Sequence, residues 1–441
     1  MRTLYSLVFT VGFCLSAPFY FWKMWRRGNW RDGFHQRFGR FSARVKHAVT
    51  NRHILWMHAV SVGEVNLCAQ LIRALEPRVP NLKIVVSTTT STGMGELRKK
   101  LPTRIEKVYY PIDFRSCVSR AQAVLHPDAI VLVEAEIWPN FLWKARARRT
   151  PVFLVNARLS KRSYRGYRLF RPLFRPLFAT LAGVGAQSDE DAARLVRLGC
   201  RPETVRVVGS LKFDAAKLEE RRLFDAAVLL RQIGVPDDAP ILVAGSTHAG
   251  EEALLADILP RLRARHPDLF LVLVPRHFER GREVGRELEA RGIKFIYRRE
   301  VTGSTQLAAR SLECLLVNTT GELKDFYETA TVIFVGKSLT AEGGQNPVEP
   351  GALGKAMVFG PNMQNFAAIA ESFVRSGGAR QVRDAAELEQ TLDQLLADPA
   401  ARAELGRNAV AVVKVNTGAI EKTVDMIVQS LAEEDNLVTR P

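Results

Sequence analysis

Chemistry-bearing side chains gather at a few turns, each following a short apolar run. The first is His58-Ala-Val-Ser61-Val-Gly63-Glu64, after the run HILWMH. A helix from about Val65 puts Glu64 at a helix N-terminus on the carboxyl edge of a sheet. A carboxylate there can take a proton from an attacking hydroxyl. A first-turn Glu that answers only the helix dipole fits the same position, and the motif alone leaves both readings open. Gly63 admits close backbone approach by a ligand, and Ser61 offers a hydroxyl. The second turn, Glu134-Ala-Glu136-Ile-Trp138-Pro139-Asn140, ends the run IVLVE. Carboxylates at i and i+2 on an extended segment share a face. Acids emerging from an apolar strand mark a working site more often than a packing detail. The third is Asn156-Ala-Arg158-Leu-Ser160-Lys161-Arg162-Ser163. It lies within a stretch, Lys144 to Arg175, with eleven Lys or Arg and no acid, interleaved with Tyr164, Tyr167, Phe170 and Phe174. Basic and bulky apolar residues in alternation suit a membrane surface or a phosphate-bearing lipid.

The second half of the chain carries anion-binding turns. Gly245-Ser246-Thr247-His248 opens a helix and offers N–H groups and two hydroxyls, and no Gly-Lys-Ser/Thr of a Walker loop follows. Arg276 ends an apolar strand, where a guanidinium can clamp a phosphate. The last turn is Gly336-Lys337-Ser338, then Gly343-Gly344-Gln345-Asn346-Pro347-Val-Glu349. The glycines allow a tight turn under a phosphate. Asn346 suits an N-cap of a helix beginning near Pro347, and Glu349, one turn in, suits the hydroxyls of a ribose.

These turns need rigid elements beneath them. Apolar runs at 53–58, 83–87, 130–134, 152–156 and 182–186 alternate with amphipathic helices, and a second series runs through 241–245, 269–274, 312–317, 331–335 and 357–360. Near-continuous apolar strands between helices indicate parallel sheets covered on both faces. The predicted organisation is a membrane anchor at 1–25, a Rossmann-like domain at 26–210, a charged connection at 211–240, a second Rossmann-like domain at 241–415, and a C-terminal helix at 416–441 returning to the first domain. Two facing domains of this kind make a cleft lined by strand ends.

Composition fits a globular chain of 441 residues with a net charge of +17. That charge attracts polyanions without choosing among them. The five cysteines, Cys14, Cys68, Cys117, Cys200 and Cys314, are scattered without metal spacing and read as reduced thiols. Leu4–Trp22 is uncharged, and as a helix it spans about 28 Å. Basic residues crowd its C-terminal side, which predicts an uncleaved anchor with the rest of the chain in the cytoplasm. A cleaved signal fits worse, because its flanking charge sits on the wrong end. A helix lying in the interface remains the alternative to a span.

Taken in order, the chain resembles the Kdo (3-deoxy-D-manno-octulosonic acid) transferase family of lipopolysaccharide biosynthesis. The match runs from the anchor through Phe366. It includes His58–Glu64, Glu136–Asn140, Asn156–Ser163, Gly209–Asp214, Gly245–Glu252, Pro275–Arg280, Gly321–Leu323, Gly336–Pro350, Gly360-Pro361 and Asn365-Phe366. The resemblance implies an α/β chain of GT-B type, with two facing Rossmann-like doubly wound domains and an N-terminal membrane-anchor helix. It implies inverting, metal-independent transfer of Kdo from CMP-Kdo to a lipid A precursor, without cofactor or nucleic acid, at the inner membrane. Carried onto matching residues, it makes Glu64 the base, with Glu136 assisting. Ser246, Thr247, Arg276, Ser338, Gly343, Gly344, Asn346 and Glu349 would hold CMP. Ser61, Gly63, Arg158, Ser160, Lys161 and Lys212 would meet acceptor or phosphate. Asn318, Lys337 and Gln345 depart from the family pattern and fall on the donor side. Two rival readings are a GT-B transferase using a UDP-sugar and a lipid carrier, and a non-catalytic basic protein binding membrane or nucleic acid.

Overall fold

The computed structural model describes residues 1–26, 30–134, 137–218, 224–303, 305–308 and 310–434. The chain forms two compact units: Met1–Ala215 with the chain returning from Thr417, and Ala216–Asn416.

The first unit is built on seven parallel strands: β1 (His53–His58), β2 (Leu82–Thr88), β3 (Glu106–Tyr109), β4 (Pro127–Val133), β5 (Val152–Ala157), β6 (Gly183–Ala186) and β7 (Val205–Val207). Their spatial order is β3-β2-β1-β4-β5-β6-β7, so the chain reverses direction across the sheet between β1 and β4. The run HILWMH shows why this sheet is sealed on both faces. Leu55 and Met57 enter one core, with Leu67, Leu71 and Ile72 of the helix Val62–Leu75. Ile54 and Trp56 enter the other, with Phe141, Leu177 and Phe178. Alternation along the strand divides the side chains between two layers. Trp56 is wholly buried and donates its indole N–H to Ser87 Oγ at 2.8 Å. Four of the strand-to-helix turns are closed by a hydroxyl. Ser61, Thr90, Ser160 and Ser188 each accept a backbone N–H three residues on, as N-cap residues do.

The final helix, Ala419–Glu434, packs on this unit. Buried Asp214 accepts the N–H groups of Gly418 and Ile420, both at 2.7 Å, and Ile420, Val424, Ile427 and Leu431 join the first core. The N-terminal helix spans Arg2–Arg26, long and apolar enough to cross a membrane by length and composition.

The second unit holds β8 (Ile241–Thr247), β9 (Phe270–Pro275), β10 (Phe295–Tyr297), β11 (Cys314–Leu316), β12 (Val332–Val335), β13 (Ala356–Phe359) and β14 (Arg380–Gln381). Their order is β10-β11-β9-β8-β12-β13-β14, all pairings parallel. Here the direction reverses between β8 and β12. In open parallel sheets a ligand crevice lies at such a switch point, beyond the strands' carboxyl ends. The turns that carry Glu64 and Glu134 flank the first switch point, and those that carry Ser246, Thr247 and Lys337 flank the second.

Candidate active site

At the first switch point, β1 runs into the helix Val62–Leu75. The helix starts three residues before the position expected from sequence, so Glu64 is its third residue and half-buried. Ser61 Oγ accepts the Glu64 N–H at 3.2 Å and donates to Glu64 Oε1 at 2.7 Å, while Glu64 Oε2 accepts the Val60 N–H at 2.8 Å. This is a variant of the capping box: the Ser61 hydroxyl satisfies the Glu64 N–H, and the Glu64 carboxylate reaches back to the Ser61 hydroxyl and the Val60 N–H. Gly63 is exposed, and a Cβ built on it would meet only Ser61 Oγ, at 3.8 Å. Packing therefore does not require glycine there, and the space above it is open to a ligand.

Across the switch point, β4 ends at Val133 and Glu134 takes φ +63°. Glu134 is therefore left-handed where the reading that aligned it with Glu136 needs an extended residue. Glu136 itself lies outside the described residues. Asn156, fully buried with φ +52°, links this turn to the rest of the site. Its Nδ2 donates to Glu134 Oε1 at 3.4 Å, and its Oδ1 accepts the Leu211 N–H at 3.1 Å. That second bond starts the helix Leu211–Leu218, which carries Lys212. Burial lowers the Lys212 ammonium from the usual lysine range. Glu134 pulls it back up, Arg158 lowers it further, and Glu64 again raises it. Charges from three other turns, those of Glu134, Arg158 and Glu64, thus act on Lys212. Ser160 caps the helix Lys161–Leu169 by accepting the Ser163 N–H. Lys161 lines another cavity, of about 440 Å³, with Tyr164, Arg165, Arg168 and Arg194.

At the start of the helix Pro139–Ala147 lies a carboxylate that sequence reading passed over. Asp113 is buried and accepts the N–H groups of Asn140 (3.0 Å) and Phe141 (2.9 Å) and the hydroxyl of Tyr5 (2.8 Å). Burial pushes its carboxyl up to about 7, against the pull of those three donors and of Arg2.

In the second unit, the loops after β8, β9 and β12 converge. Ser246 is left-handed at φ +56° and almost buried, and Thr247 ends β8 with its hydroxyl turned toward buried Glu252. Arg276 is exposed at the end of β9, its N–H bonded to the Thr247 carbonyl at 3.0 Å. Glu251 organises this region. It is fully buried, and its Oε2 accepts the N–H groups of His248 (2.9 Å) and Lys337 (2.7 Å). Its Oε1 accepts those of Ser338 (2.9 Å) and Leu339 (3.0 Å). One carboxylate therefore ties the turn after β8 to the loop after β12. Lys337 is left-handed at φ +54°, and its ammonium forms no ion pair among the described residues. A Cβ on Gly343 would lie 3.2 Å from that ammonium and 2.8 Å from Asn365 Nδ2. The His248 ring lies 5.8 Å from His277. Burial lowers the His248 imidazole from its usual range, and Lys337 acts the same way, against the Ser246 carbonyl and Glu251.

One donor-site expectation needs correction. Ser338 is wholly buried, donates to the Val335 carbonyl at 2.5 Å and accepts the Gly360 N–H at 2.9 Å, so its hydroxyl is engaged inside the fold. Gly343 and Gly344 form the expected tight turn, with their N–H groups bonded within the unit. Those donate to Gln364 Oε1 (2.7 Å) and the Lys337 carbonyl (2.8 Å), and the positive φ values, +124° and +70°, serve packing against Asn365 and Met363. The short helix begins at Val348, one residue later than expected. Asn346 accepts the Val348 N–H through Oδ1 and donates through Nδ2 to Glu349 Oε1 at 2.9 Å. Asn346 and Glu349 thus stand as one locked, half-buried pair.

Comparison with known proteins gives these two sites a family. Residues 32–215 match the family described as 3-deoxy-D-manno-octulosonic-acid transferase (kdotransferase). A 3-deoxy-D-manno-octulosonic acid transferase of Bordetella pertussis is 34% identical over 433 residues, 95% of this chain and 98% of that one. One from Haemophilus influenzae is 30% identical over 376 residues, 85% of this chain and 86% of that one. Among solved structures, a putative UDP-N-acetylglucosamine 2-epimerase from Listeria monocytogenes superimposes with a TM-score of 0.57 at 14% identity, over 89% of this chain and 99% of that one. At that identity the likeness concerns the fold, two Rossmann-like units of GT-B type. The chain belongs to the 3-deoxy-D-manno-octulosonic acid transferase family and is a glycosyltransferase.

Proposed function

We propose that the chain transfers Kdo from CMP-Kdo to a hydroxyl of a lipid A precursor, a lipid IVA-like acceptor, with inversion and without a resident metal or cofactor. Glu64 is the general base. The observation that carries this reading is the half-buried Glu64 carboxylate at the first switch point, within electrostatic reach of Lys212 and next to an open Gly63. Two donors, the Val60 N–H and the Ser61 hydroxyl, hold the carboxylate in one orientation before substrate arrives, and such preorganisation lowers the entropy lost on reaching the reactive geometry. The carboxylate takes the hydroxyl proton as the oxygen attacks the anomeric carbon, and CMP departs from the opposite face. Lys212 and Arg158 meet acceptor phosphate, while Arg276 and Lys337 take the donor's phosphate charge, as fixed cations stabilise a departing anion. The Asn346–Glu349 pair meets the ribose. The N-terminal helix, with the basic and apolar surface of Lys161–Leu169 and Arg171–Phe178, holds the chain at the cytoplasmic face of the inner membrane.

Glu64→Gln tests the assignment cleanly, because Gln is equally accepted at this position of a capping box. The variant keeps its fold and its affinity for CMP, and its turnover falls by about 10²–10⁴-fold, the usual worth of a general base. Turnover above about a tenth of wild type would remove Glu64 from this role. Mass analysis of the lipid product after incubation with CMP-Kdo identifies donor and acceptor together. Transfer from UDP-sugars instead would favour the lipid-carrier reading.

A further inference from the structure

An apolar N-terminal helix that served only as a tether would need no polar partners in the folded unit. This one has them. Arg2, Tyr5, Ser6, Phe9 and Phe13 form a half-buried stripe at helical spacing, while Leu4, Leu7, Val8, Val11 and Leu15 on the other side are exposed, Leu15 by 80%. The inward stripe is specific. Tyr5 donates its hydroxyl to Asp113 Oδ2 at 2.8 Å, and Ser6 donates to Asn140 Oδ1 at 3.4 Å. The Phe9 ring sits edge-on to Phe114 at 5.3 Å and to Trp138 at 6.4 Å, and the Tyr5 ring edge-on to Trp143 at 5.7 Å.

What this stripe holds is the start of the helix Pro139–Ala147. The N-cap residue of that helix, Trp138, supplies no side-chain cap. Asp113 supplies one from elsewhere in the chain by accepting the Asn140 and Phe141 N–H groups. Asn140 returns a bond from Nδ2 to the Asp113 carbonyl at 2.7 Å. Tyr5 completes the coordination of that carboxylate. Glu134 is held separately, by Asn156.

We infer that the N-terminal helix is a positioning element of the acceptor-side site: Tyr5, through Asp113, sets where the helix Pro139–Ala147 starts, on the C-terminal side of Glu134. The inference rests on the proposed function in one respect, that this helix start borders the acceptor side of the site. It differs from tethering in its consequences, because the two faces of one helix then do separate jobs.

The experiment uses the full chain in detergent micelles with a dispersed lipid A precursor, where tethering adds nothing to encounter. Tyr5→Phe removes one hydroxyl and keeps the helix apolar, so vesicle attachment is unchanged. Its kcat falls by about five- to a hundred-fold, the range produced when a distant change misplaces reacting groups, while KM for CMP-Kdo stays within about two-fold of wild type, since the donor contacts are untouched. Amide exchange across 137–141 becomes faster. Leu15→Ser, on the outward face, shows the converse: weaker attachment to vesicles of anionic phospholipid and wild-type kcat in micelles. If Tyr5→Phe accumulates poorly, Phe9→Leu replaces it, removing the ring contacts with Trp138 and Phe114 under the same readouts. Wild-type kcat and wild-type exchange across 137–141 in the Tyr5 variant would overturn the inference. Wild-type protein inactive with CMP-Kdo would instead count against the proposed function, and the exchange measurement would still decide the positioning role.

Discussion

Glu251 was one residue among several in an anion-binding turn, and its structural setting makes a quantitative demand. Its carboxylate accepts four backbone N–H groups, two on each oxygen. Glu251→Gln keeps the shape and one acceptor oxygen. Whichever way the amide turns, its NH2 faces two N–H donors, so two bonds are lost and two donors are stranded. Each stranded buried donor costs about 1–3 kcal/mol. Of the four, only the Ser338 bond is fully buried, so the lower part of that range applies, and the total comes to about 3 kcal/mol. For a unit of this size each kcal/mol moves the melting temperature by roughly 2–4 °C, so the expected fall is about 6–12 °C. The cost is local to the loops after β8 and β12, so CMP affinity weakens as well. Differential scanning calorimetry and titration with CMP measure both. A variant melting within about 2 °C of wild type, with unchanged CMP affinity, would refute the reasoning that Glu251 organises the donor side.

Lys337→Gly relieves a left-handed backbone that costs an L-residue about 1–2 kcal/mol, so the variant melts higher by a few degrees while binding CMP several-fold more weakly. Unchanged CMP affinity would show that the Lys337 ammonium takes no part in donor binding, and calorimetry separates the two effects. Asp113 gives a pH signature. Its carboxyl lies near 7 in the fold against an ordinary value near 4, so between those values the folded state binds more protons than the unfolded one. Stability therefore declines as pH rises through that window and levels off above it. Asp113→Asn removes this contribution, and its stability in urea changes less between about pH 4 and 7 than that of wild type.

The alternation of strands and helices was legible because both sheets are sealed on two faces, which writes their longer strands as continuous apolar runs. The strands not read from sequence are the short ones at the sheet edges: β3 with Glu106 and Lys107, β7, β10 and β14, the last only two residues long. The ends of β1, β4, β8, β9 and β12 were placed well enough to put the chemistry at the right edge of each sheet. The direction of each side chain was not. Ser338 bonds to Gly360 22 residues away, the Gly343 N–H to Gln364 21 away, and Glu251 reaches Leu339 across 88. Such partners are chosen by the fold, and local spacing carries no record of them. Glu134 failed for a related reason: the i, i+2 rule holds only while the backbone stays extended, and φ +63° ends that at the first residue.

Burial sorts the acidic residues that lie at or near helix starts in a way their sequence positions do not. Asp113, Asp214, Glu251 and Glu252 are 9% exposed or less, and each is spent on partners inside its own unit: backbone N–H groups for the first three, the Arg280 guanidinium for Glu252. A carboxylate sealed in this way cannot reach a substrate without abandoning bonds the fold needs. Glu64, Glu134 and Glu349 are half-buried instead, each held by at least one neighbour and open on another side. An ionised carboxylate has about four acceptor positions, so being held and being available are compatible. For Glu64 the capping box and the general base are therefore not competing explanations. The cap fixes the direction in which the remaining lone pairs point, and a base that is already aimed has less orientational freedom to lose in the transition state.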